Sequence, residues 1–368
     1  MADPHALRRT ELQYRLRAAD ADACVLFPGR NLQYLTGFEE TPGERHLLLV
    51  VPAHGDPVVL LPALYDQQLR EATDLAEYRV WADDEDPVPM LRGIAQDREL
   101  SGGRLLVDDT LHARFLLDVR EAFEDPEVGL ASGILGPMRC RKDEAELDAL
   151  ERSAAAADAA MASVREMGED LVGRTERAIA REVRDRLAEA GGEGVAFEVI
   201  AGSGPNGAKP HHTHGERVLE AGDPLVLDFG TRVDGYVSDT TRTVVPAGEP
   251  PEGFREVHDV VREAQQAGVA AVEPGATTGD VDAAAREVVE RAGYGDRFVH
   301  RTGHGVGLDV HEEPYVVSGG DTTLEEGMVF SVEPGVYRPG EFGVRIEELV
   351  VVTSDGCERL NTTDRGWR

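Results

Sequence analysis

The chain has 368 residues, 41% of them hydrophobic, so it is long enough for two domains and a large buried core. Its 70 acidic and 38 basic residues give a net charge of −32, which argues against nucleic acid or anionic membrane as a partner. Three distant cysteines argue against a disulfide framework, and neither a signal-peptide pattern nor an apolar run of about 18 residues is present. We therefore expect a cytoplasmic protein.

The first part of the chain alternates helical and strand-like patterns. Leucines at helical spacing predict a helix over residues 6–20, and a buried strand follows at 23–27. Further short apolar runs lie at 47–51, 58–61 and 105–107. Further helical candidates lie at 65–70 and 113–122. This alternation is typical of an α/β domain, which we expect to end near Gly136 and Pro137.

The second part combines longer helices with strands that pair mostly as hairpins. A strand is predicted at 195–200, followed by a loop at 202–214 that is rich in glycine and proline. The predicted helices run from Asp143 through Met161, from Thr175 to about Ala190, over about 253–270 and over about 279–292. This pattern predicts an α+β domain over residues 137–368.

Acidic residues stand at the ends of strand-like runs in two stretches. In the first stretch an apolar run ends at Asp228, and after a glycine-bracketed turn the next run presents Asp239. The second stretch repeats this arrangement with Glu333 and Glu347. We therefore predict one strand-turn-strand device used twice, each time presenting two carboxylates.

Four carboxylates on apolar strands would repel one another and lose hydration unless protons or cations compensate, so we predict a metal centre. His304 lies between the two stretches with a glycine on each side. These glycines would let the backbone approach another group closely, and the imidazole would add one nitrogen ligand. Oxygen-rich donors of this kind suit Mn²⁺, with Co²⁺ as the alternative.

The motifs resemble those of the aminopeptidase P, prolidase and creatinase family, over most of residues 140–355. The resemblance implies a creatinase-like α/β domain over 1–136 and an α+β catalytic domain of the pita-bread fold over 137–368. It also implies two divalent metal ions held by five ligands, and each motif position is filled: Asp228, Asp239, His304, Glu333 and Glu347. Creatinase works without metal and lacks this full set, so the resemblance implies a metallopeptidase.

The resemblance also implies roles for residues around the ligands. Two non-ligand histidines of the family fall on His211 and His311, which would orient the substrate and stabilise the developing oxyanion. Glu333 would also move a proton from the attacking water to the leaving nitrogen. Arg345 would fix a carboxylate or bind the substrate.

Other polar residues near these motifs are interpreted as solvated or structural. His300 is expected either to reach the site or to pack outside it, and Glu348 does not stand at a ligand position. The residues expected to be solvated are His212, His214, Asp309, Glu312 and Glu313. The cysteines are expected to be small buried hydrophobic residues.

The implied activity is hydrolysis of the peptide bond before proline in proline-containing peptides, by a hydroxide formed when two metals lower the pKa of a shared water. Xaa-Pro dipeptidases and Xaa-Pro aminopeptidases share this catalytic set, and the residues do not choose between them. An amide hydrolase acting on an ectoine-like compatible solute is the alternative, and a non-catalytic binding protein is a third class. The N-terminal domain disfavours a methionine aminopeptidase, and we expect it to narrow the active-site mouth or to form the contact of a homodimer.

Only two lysines occur, Lys142 and Lys209, so arginine supplies nearly all basic side chains. An acidic surface poor in lysine resembles the surfaces of proteins from salt-accumulating cells, where a Debye length of about 3 Å at 1 M salt screens self-repulsion. We expect the melting temperature to rise between dilute buffer and molar KCl, as measured by scanning fluorimetry. An unchanged melting temperature would indicate an ordinary acidic protein.

Overall fold

The computed structural model describes residues 3–368 and divides into two compact units, of which the first ends at Arg139 and the second begins at Cys140. Each unit has its own sheets and its own buried apolar clusters. Across the described residues, no helix combines the length and the apolar character needed to cross a membrane.

The first unit contains a mixed sheet flanked by helices. Its strands in residues 3–139 are β1 (Ala23–Leu26), β2 (Leu48–Pro52), β3 (Val58–Pro62), β4 (Glu77–Trp81), β5 (Arg104–Val107) and β6 (Glu127–Leu130). Its helices are α1 (Pro4–Ala18), α2 (Arg30–Thr36), α3 (Asp66–Ala72), α4 (Val88–Asp97), α5 (Ala113–Ala122) and α6 (Ser132–Cys140), with a 3₁₀ turn at Ala63–Tyr65. The strand order is β4-β3-β2-β1-β5-β6. Strands β1 to β3 are buried along their whole length, which explains their continuous apolar runs.

The helices and strands predicted for this unit are present, with shifts of a few residues at their ends. Helix α2, which was not predicted, ends at Thr36 and is capped by Gly37 with a positive φ of 75°. Helix α6 runs through Gly136 and Pro137, where the predicted domain was expected to end. The division between the compact units therefore falls at the end of a helix rather than in a turn.

The second unit contains most of the strands and the longest helix of the described residues. Its strands are β7 (Ile200–Ser203), β8 (Leu225–Phe229), β9 (Arg232–Val233), β10 (Tyr236–Val237), β11 (Thr240–Val244), β12 (Gly303–Gly305), β13 (Glu312–Val316), β14 (Val329–Val332), β15 (Gly335–Arg338), β16 (Phe342–Arg345), β17 (Glu348–Thr353) and β18 (Gly356–Arg359). Its helices are α7 (Glu144–Glu166), α8 (Glu176–Glu189), α9 (Phe254–Ala270) and α10 (Thr278–Arg291), with 3₁₀ turns at Gly168–Leu171, Gly204–Asn206 and Gly295–Arg297.

Helices pack on two antiparallel sheets in this unit, whose strand orders are β11-β8-β7 and β13-β12-β14-β17-β18. Helices α7 and α8 bury apolar side chains such as Met161 and Leu187 against Leu225 and Phe229 of β8. Helices α9 and α10 cover β14 and β17. The predicted α+β arrangement is confirmed, and it leaves the strand ends free to carry polar side chains.

The predicted strand-turn-strand device is present twice, with one addition. Strand β8 pairs with β11, and β14 pairs with β17, both antiparallel. Between the two strands of each pair the chain makes a short extra hairpin, β9-β10 in the first case and β15-β16 in the second. Each pair of predicted acidic residues therefore flanks an inserted hairpin and not a simple turn.

The strand predicted at 195–200 is wrong, because regular pairing begins only at Ile200, opposite Asp228. Upstream, the Ala196 N–H donates to the carbonyl of Gly230, and Val195 pairs with Thr231. This pairing has a different register from that of β7 with β8. The interruption lies around Phe197 and Glu198, which line the cavity described below. An alternating apolar pattern could not reveal this break, because it depends on the register of a distant strand.

Candidate active site

A cavity of about 320 Å³ lies in the second unit. Its wall includes every site residue predicted from the sequence: Asp228, Asp239, His304, Glu333, Glu347, His211, His311 and Arg345. Residues more than 130 positions apart in the chain therefore meet at one place.

Strand ends and strand interiors place the five ligand-type residues. Asp228 lies in β8 and His304 in β12, whereas Asp239 immediately precedes β11, Glu333 follows β14 and Glu347 precedes β17. The β8-β11 ladder sets Asp228 opposite Thr241, and the β14-β17 ladder sets Val332 opposite Glu348. Antiparallel pairing thus brings each acidic residue beside its counterpart on the neighbouring strand.

Three of these residues offer ligand atoms close enough to share one cation. The offered atoms of Asp239, His304 and Glu347 all lie within 4.8 Å of one another. His304 Nε2 lies 3.2 Å from Glu333 Oε1 and 3.8 Å from Asp239 Oδ2. Because His304 Nδ1 lies 3.2 Å from the carbonyl oxygen of Gly305, it can donate there and leave the Nε2 lone pair free for a metal.

The glycines on both sides of His304 permit a close approach between strands. A Cβ atom on Gly303 would lie 1.8 Å from the carbonyl oxygen of Ser331, which is in β14. A Cβ atom on Gly305 would lie 2.1 Å from the carbonyl oxygen of Glu313, which is in β13. The predicted close approach is therefore present, and its partner is the backbone of the two neighbouring strands.

Burial makes negative charge costly at three of the acidic residues. Burial, followed by the charges of Glu347 and Asp228, raises the pKa of Asp239 well above its ordinary value. Burial, followed by the charges of Glu333 and Asp228, also raises the pKa of Glu347 well above its ordinary value. Burial also raises the pKa of Asp228, although Arg345 opposes this. Without a cation, these carboxylates cannot all remain ionised.

Glu333 is the exception among the four acidic residues. Burial alone would raise its pKa, but the hydrogen bond with His304, together with the charges of His304 and His300, lowers the pKa to about 2. Its Oε1 also lies 3.4 Å from the Ser331 hydroxyl. In the absence of a cation, Glu333 therefore keeps its charge because His304 faces it.

The unsatisfied oxygens of the site test whether a metal fits. Among residues 3–368, Oδ1 of Asp228, Oδ1 of Asp239 and Oε1 of Glu347 are buried without a hydrogen-bond partner. A buried carboxylate oxygen without a partner is unfavourable by several kcal/mol unless a cation compensates. Carboxylate oxygens with one imidazole nitrogen are a donor set for a hard or borderline divalent ion. The residues present fit a divalent metal.

Arg345 connects two of the acidic residues, Asp228 directly and Glu347 through Thr241. Its guanidinium pairs with Asp228, donates to the Tyr337 hydroxyl at 2.8 Å and donates to the Thr241 hydroxyl at 3.2 Å. Thr241 in turn donates to Oε2 of Glu347 at 2.6 Å. Of the two roles expected for Arg345, these contacts favour fixing a carboxylate. Thr241 stands only two positions after Asp239, whereas no spacing signal pointed to Tyr337.

The cavity wall also holds a second cation, Arg301. Its guanidinium carbon lies 4.5 Å from the centroid of the Tyr315 ring. In the part of the chain that the structure describes, this guanidinium has neither an ion pair nor a hydrogen bond. Only its position three residues before His304 could have drawn attention to it.

Histidines complete the cavity wall. His211 and His311 are both exposed, and the His311 ring centroid lies 4.2 Å from that of His304. His300 lines the cavity and lies 2.9 Å from the Tyr337 hydroxyl, so it reaches the site.

Three residues interpreted as solvated have specific partners instead, so those interpretations are wrong. Glu312 is buried, and its Oε1 lies 2.9 Å from Nζ of Lys142, which comes from a distant part of the chain. His212 bonds to buried Glu176 at 2.8 Å, and His214 bonds to Glu198 at 2.7 Å. Glu313 is exposed as expected, and Asp309 is partly buried.

The remaining expectations concern Glu348 and the cysteines. Glu348 lies outside the cavity wall and pairs with Arg242 and Arg359 at 3.2 and 3.1 Å. Two of the cysteines are buried, Cys357 is partly buried, and all three are free.

Residues 148–354 match metallopeptidase family M24, and residues 8–141 match the Creatinase/Prolidase N-terminal domain. The chain belongs to metallopeptidase family M24. This confirms the resemblance drawn from the motifs, and the matched segment contains all eight predicted site residues.

Similar proteins cover nearly the whole chain. A probable dipeptidase PepE of Mycobacterium tuberculosis is 43% identical over 94% of this chain and 92% of its own length. An Xaa-Pro dipeptidase of Lactobacillus helveticus is 34% identical over 96% of both chains. The crystal structure of a prolidase from Thermococcus sibiricus superposes with a TM-score of 0.94, at 36% identity and 99% coverage of both chains. The predicted fold, a creatinase-like domain followed by a pita-bread domain, is confirmed.

Glu347 and Glu348 are adjacent buried glutamates, of which only Glu347 faces the cavity. We expect added MnCl₂ to stabilise the metal-stripped wild type, by about 2.7 kcal/mol at a hundredfold excess over the dissociation constant. Glu347→Gln should lose most of this increment because a ligand oxygen is replaced, whereas Glu348→Gln should keep it. Thermal unfolding with and without the ion, together with the metal content of each protein, checks this. Equal increments in the two variants would contradict the assignment of Glu347 as a ligand.

Proposed function

We propose that this chain is a metal-dependent Xaa-Pro dipeptidase, which hydrolyses the bond between any residue and a C-terminal proline. The observation that carries the proposal is the meeting, in one cavity, of all the predicted site residues with three unpaired carboxylate oxygens. Similarity to the Xaa-Pro dipeptidase of L. helveticus and to the prolidase of T. sibiricus supports it.

The metal ions are part of the proposal. We propose two divalent ions, Mn²⁺ in the first place and Co²⁺ as a substitute, held by Asp228, Asp239, His304, Glu333 and Glu347. Bound divalent ions would lower the pKa of a shared water to near neutrality and so supply the nucleophile. The ligand types favour these ions because no thiolate is present among the donors.

The remaining site residues handle protons and substrate. Glu333 lines the cavity and is only partly buried, so its carboxylate is placed to take a proton from the attacking water and deliver it to the proline nitrogen. His211 and His311 are exposed to the cavity, where their ring N–H groups can orient the substrate and donate to the developing oxyanion. Arg345 and Thr241 hold Asp228 and Glu347 in place.

Arg301 favours a dipeptidase over an aminopeptidase. A dipeptide of the Xaa-Pro type places a free carboxylate one residue beyond the scissile bond, and the enzyme must recognise that charge. The Arg345 guanidinium is already engaged by an ion pair and several hydrogen bonds. The Arg301 guanidinium has no ion pair or hydrogen bond among the described residues and lies only against the Tyr315 ring. We therefore assign the proline carboxylate to Arg301, because charge-assisted pairing with a carboxylate is strong and specific.

The other functional hypotheses receive less support. No similar protein named above is an ectoine-type amide hydrolase, and the intact ligand set argues against a binding protein without activity. A homodimer, a cytoplasmic location and a domain boundary at residue 136 stay predictions.

The function is tested with Ala-Pro as the substrate and metal-stripped protein, with and without added Mn²⁺, in molar salt. We expect hydrolysis only with metal, and Glu333→Gln should reduce kcat by about 10² to 10⁴, because the group that transfers the proton is lost. Glu326→Gln, at an exposed position outside the cavity wall, is the control and should behave as wild type. Metal-loaded wild type that leaves Ala-Pro intact would refute the proposal.

Removal of the Arg301 guanidinium tests the substrate class. We expect Arg301→Ala to raise the KM for Ala-Pro about 10- to 100-fold with little change in kcat, since one charge-assisted contact contributes about 1.5 to 3 kcal/mol. The preference of wild type for Ala-Pro over Ala-Pro-amide should disappear in the variant. Arg297→Ala, an exposed arginine outside the cavity wall, is the control. Equal rates of wild type on Ala-Pro and Ala-Pro-Ala would instead indicate an aminopeptidase.

A further inference from the structure

Glu176 is a buried acidic residue that the reaction described above does not use. It is the first residue of α8, it is 0% exposed, and it lies outside the wall of the cavity. Thr175 caps the helix through the Ala178 N–H, so the Glu176 side chain is not needed for capping. A buried carboxylate requires partners, and those of Glu176 lie in one loop.

Both oxygens of Glu176 accept hydrogen bonds from this loop. Oε1 accepts from the N–H and the hydroxyl of Ser203, both at 2.8 Å, and from the Asn206 amide at 3.0 Å. Oε2 accepts from Nε2 of His212 at 2.8 Å and from the N–H of Gly215 at 3.0 Å. One carboxylate therefore joins the beginning and the end of residues 203–215.

The loop closed in this way carries part of the active-site wall. Pro210, His211 and Thr213 line the cavity, and His211 directly precedes His212, which bonds to Glu176. Apart from Ser203, which ends β7, and the 3₁₀ turn at Gly204–Asn206, the loop has no regular structure. Its own backbone contributes few bonds, such as those from Lys209 to Asn206 and from His212 to Lys209. The position of His211 thus depends on groups outside the loop.

The bonds require a negative charge on Glu176. Burial alone would raise the pKa of Glu176, but the hydrogen bonds from His212, Ser203 and Asn206 lower it below the ordinary value. All five partner groups donate, so an amide at this position would turn its NH₂ group towards at least two of them. A glutamine is therefore nearly the same shape as glutamate but cannot satisfy the same donors.

We propose that Glu176 is a positioning residue that places His211 for the reaction by holding residues 203–215 as a closed loop. This inference rests on the proposed function, in which His211 contacts the substrate. Displacement of a positioned group by about 1 Å can reduce the rate about a hundredfold. Glu176 acts only through His211 and never contacts the substrate.

A double-mutant cycle with Glu176→Gln and His211→Ala tests the inference on metal-loaded protein with Ala-Pro. We expect Glu176→Gln alone to reduce kcat/KM about 10- to 100-fold. In the His211→Ala background the same change should reduce it less than about threefold, because the group that Glu176 positions is already absent. Equal factors in the two backgrounds would overturn the inference, as would full activity of the single variant.

Asp158 offers a matched control for the loss of a buried carboxylate. It is buried on α7 and accepts hydrogen bonds from Asn361, Thr362 and Thr363 near the end of the chain. Asp158→Asn should lower the melting temperature in the way that Glu176→Gln does, but it should leave kcat/KM within about threefold of wild type. An equal loss of activity in both variants would show that general destabilisation is the cause.

Amide hydrogen exchange gives a readout that does not depend on activity. In Glu176→Gln, faster exchange should be confined to residues near 203–215, and unchanged exchange there would overturn the inference. If wild type fails to cleave Ala-Pro while the exchange changes as expected, the proposed function fails and the loop-holding role of Glu176 stands. His212→Ala, which removes only the bond nearest His211, replaces Glu176→Gln in the cycle if that variant does not fold.

Discussion

The mutual repulsion of four carboxylates in one cavity wall is the constraint to which the second unit is adapted. Arg345 neutralises one of them directly and reaches a second through Thr241, while His304 sustains the charge of Glu333. These contacts leave one oxygen each of Asp228, Asp239 and Glu347 without a hydrogen-bond partner among the described residues. The cavity wall therefore carries negative charge that the protein's own cationic groups do not balance. A bound divalent cation would balance it. Stability and metal affinity are consequently linked in this protein.

Two kinds of scaffold support the site. The ligand-type residues stand in or next to antiparallel strands, whose ladders fix their separations, and the glycines beside His304 let three strands approach closely. His211 instead belongs to a loop whose shape depends on one buried carboxylate. A carbonyl in the same loop, that of Pro210, also lies 3.5 Å from the Arg345 guanidinium, so the two scaffolds touch. The charged cluster around Arg345 and the loop that carries His211 are thus physically connected.

Much of the site could be predicted from the sequence because its chemistry is written locally. Local patterns revealed the acidic residues at strand ends and the histidine between two glycines. These residues are Asp228, Asp239, Glu333, Glu347 and His304. The ion pair of Glu312, the hydrogen bond of His212 and the position of Arg301 in the cavity wall were not visible, because each depends on how distant segments fold together. Lys142 forms an ion pair with Glu312, 170 positions away in the sequence, and no periodicity in either segment predicts that pair. The strand predicted at 195–200 failed for the same reason, since the register of β8 decides where pairing begins.

The scarcity of lysine has a practical consequence for chemical modification. Lys142 is buried in its pair with Glu312, whereas Lys209 is exposed and lies two positions before His211. In residues 3–368, an amine-directed reagent therefore meets a single accessible side chain, and that side chain belongs to the loop closed by Glu176. A fluorophore attached there would sit at the edge of the cavity and report on the loop without any engineered cysteine. Immobilisation through a lysine side chain would, by the same geometry, tether the molecule next to its own active site.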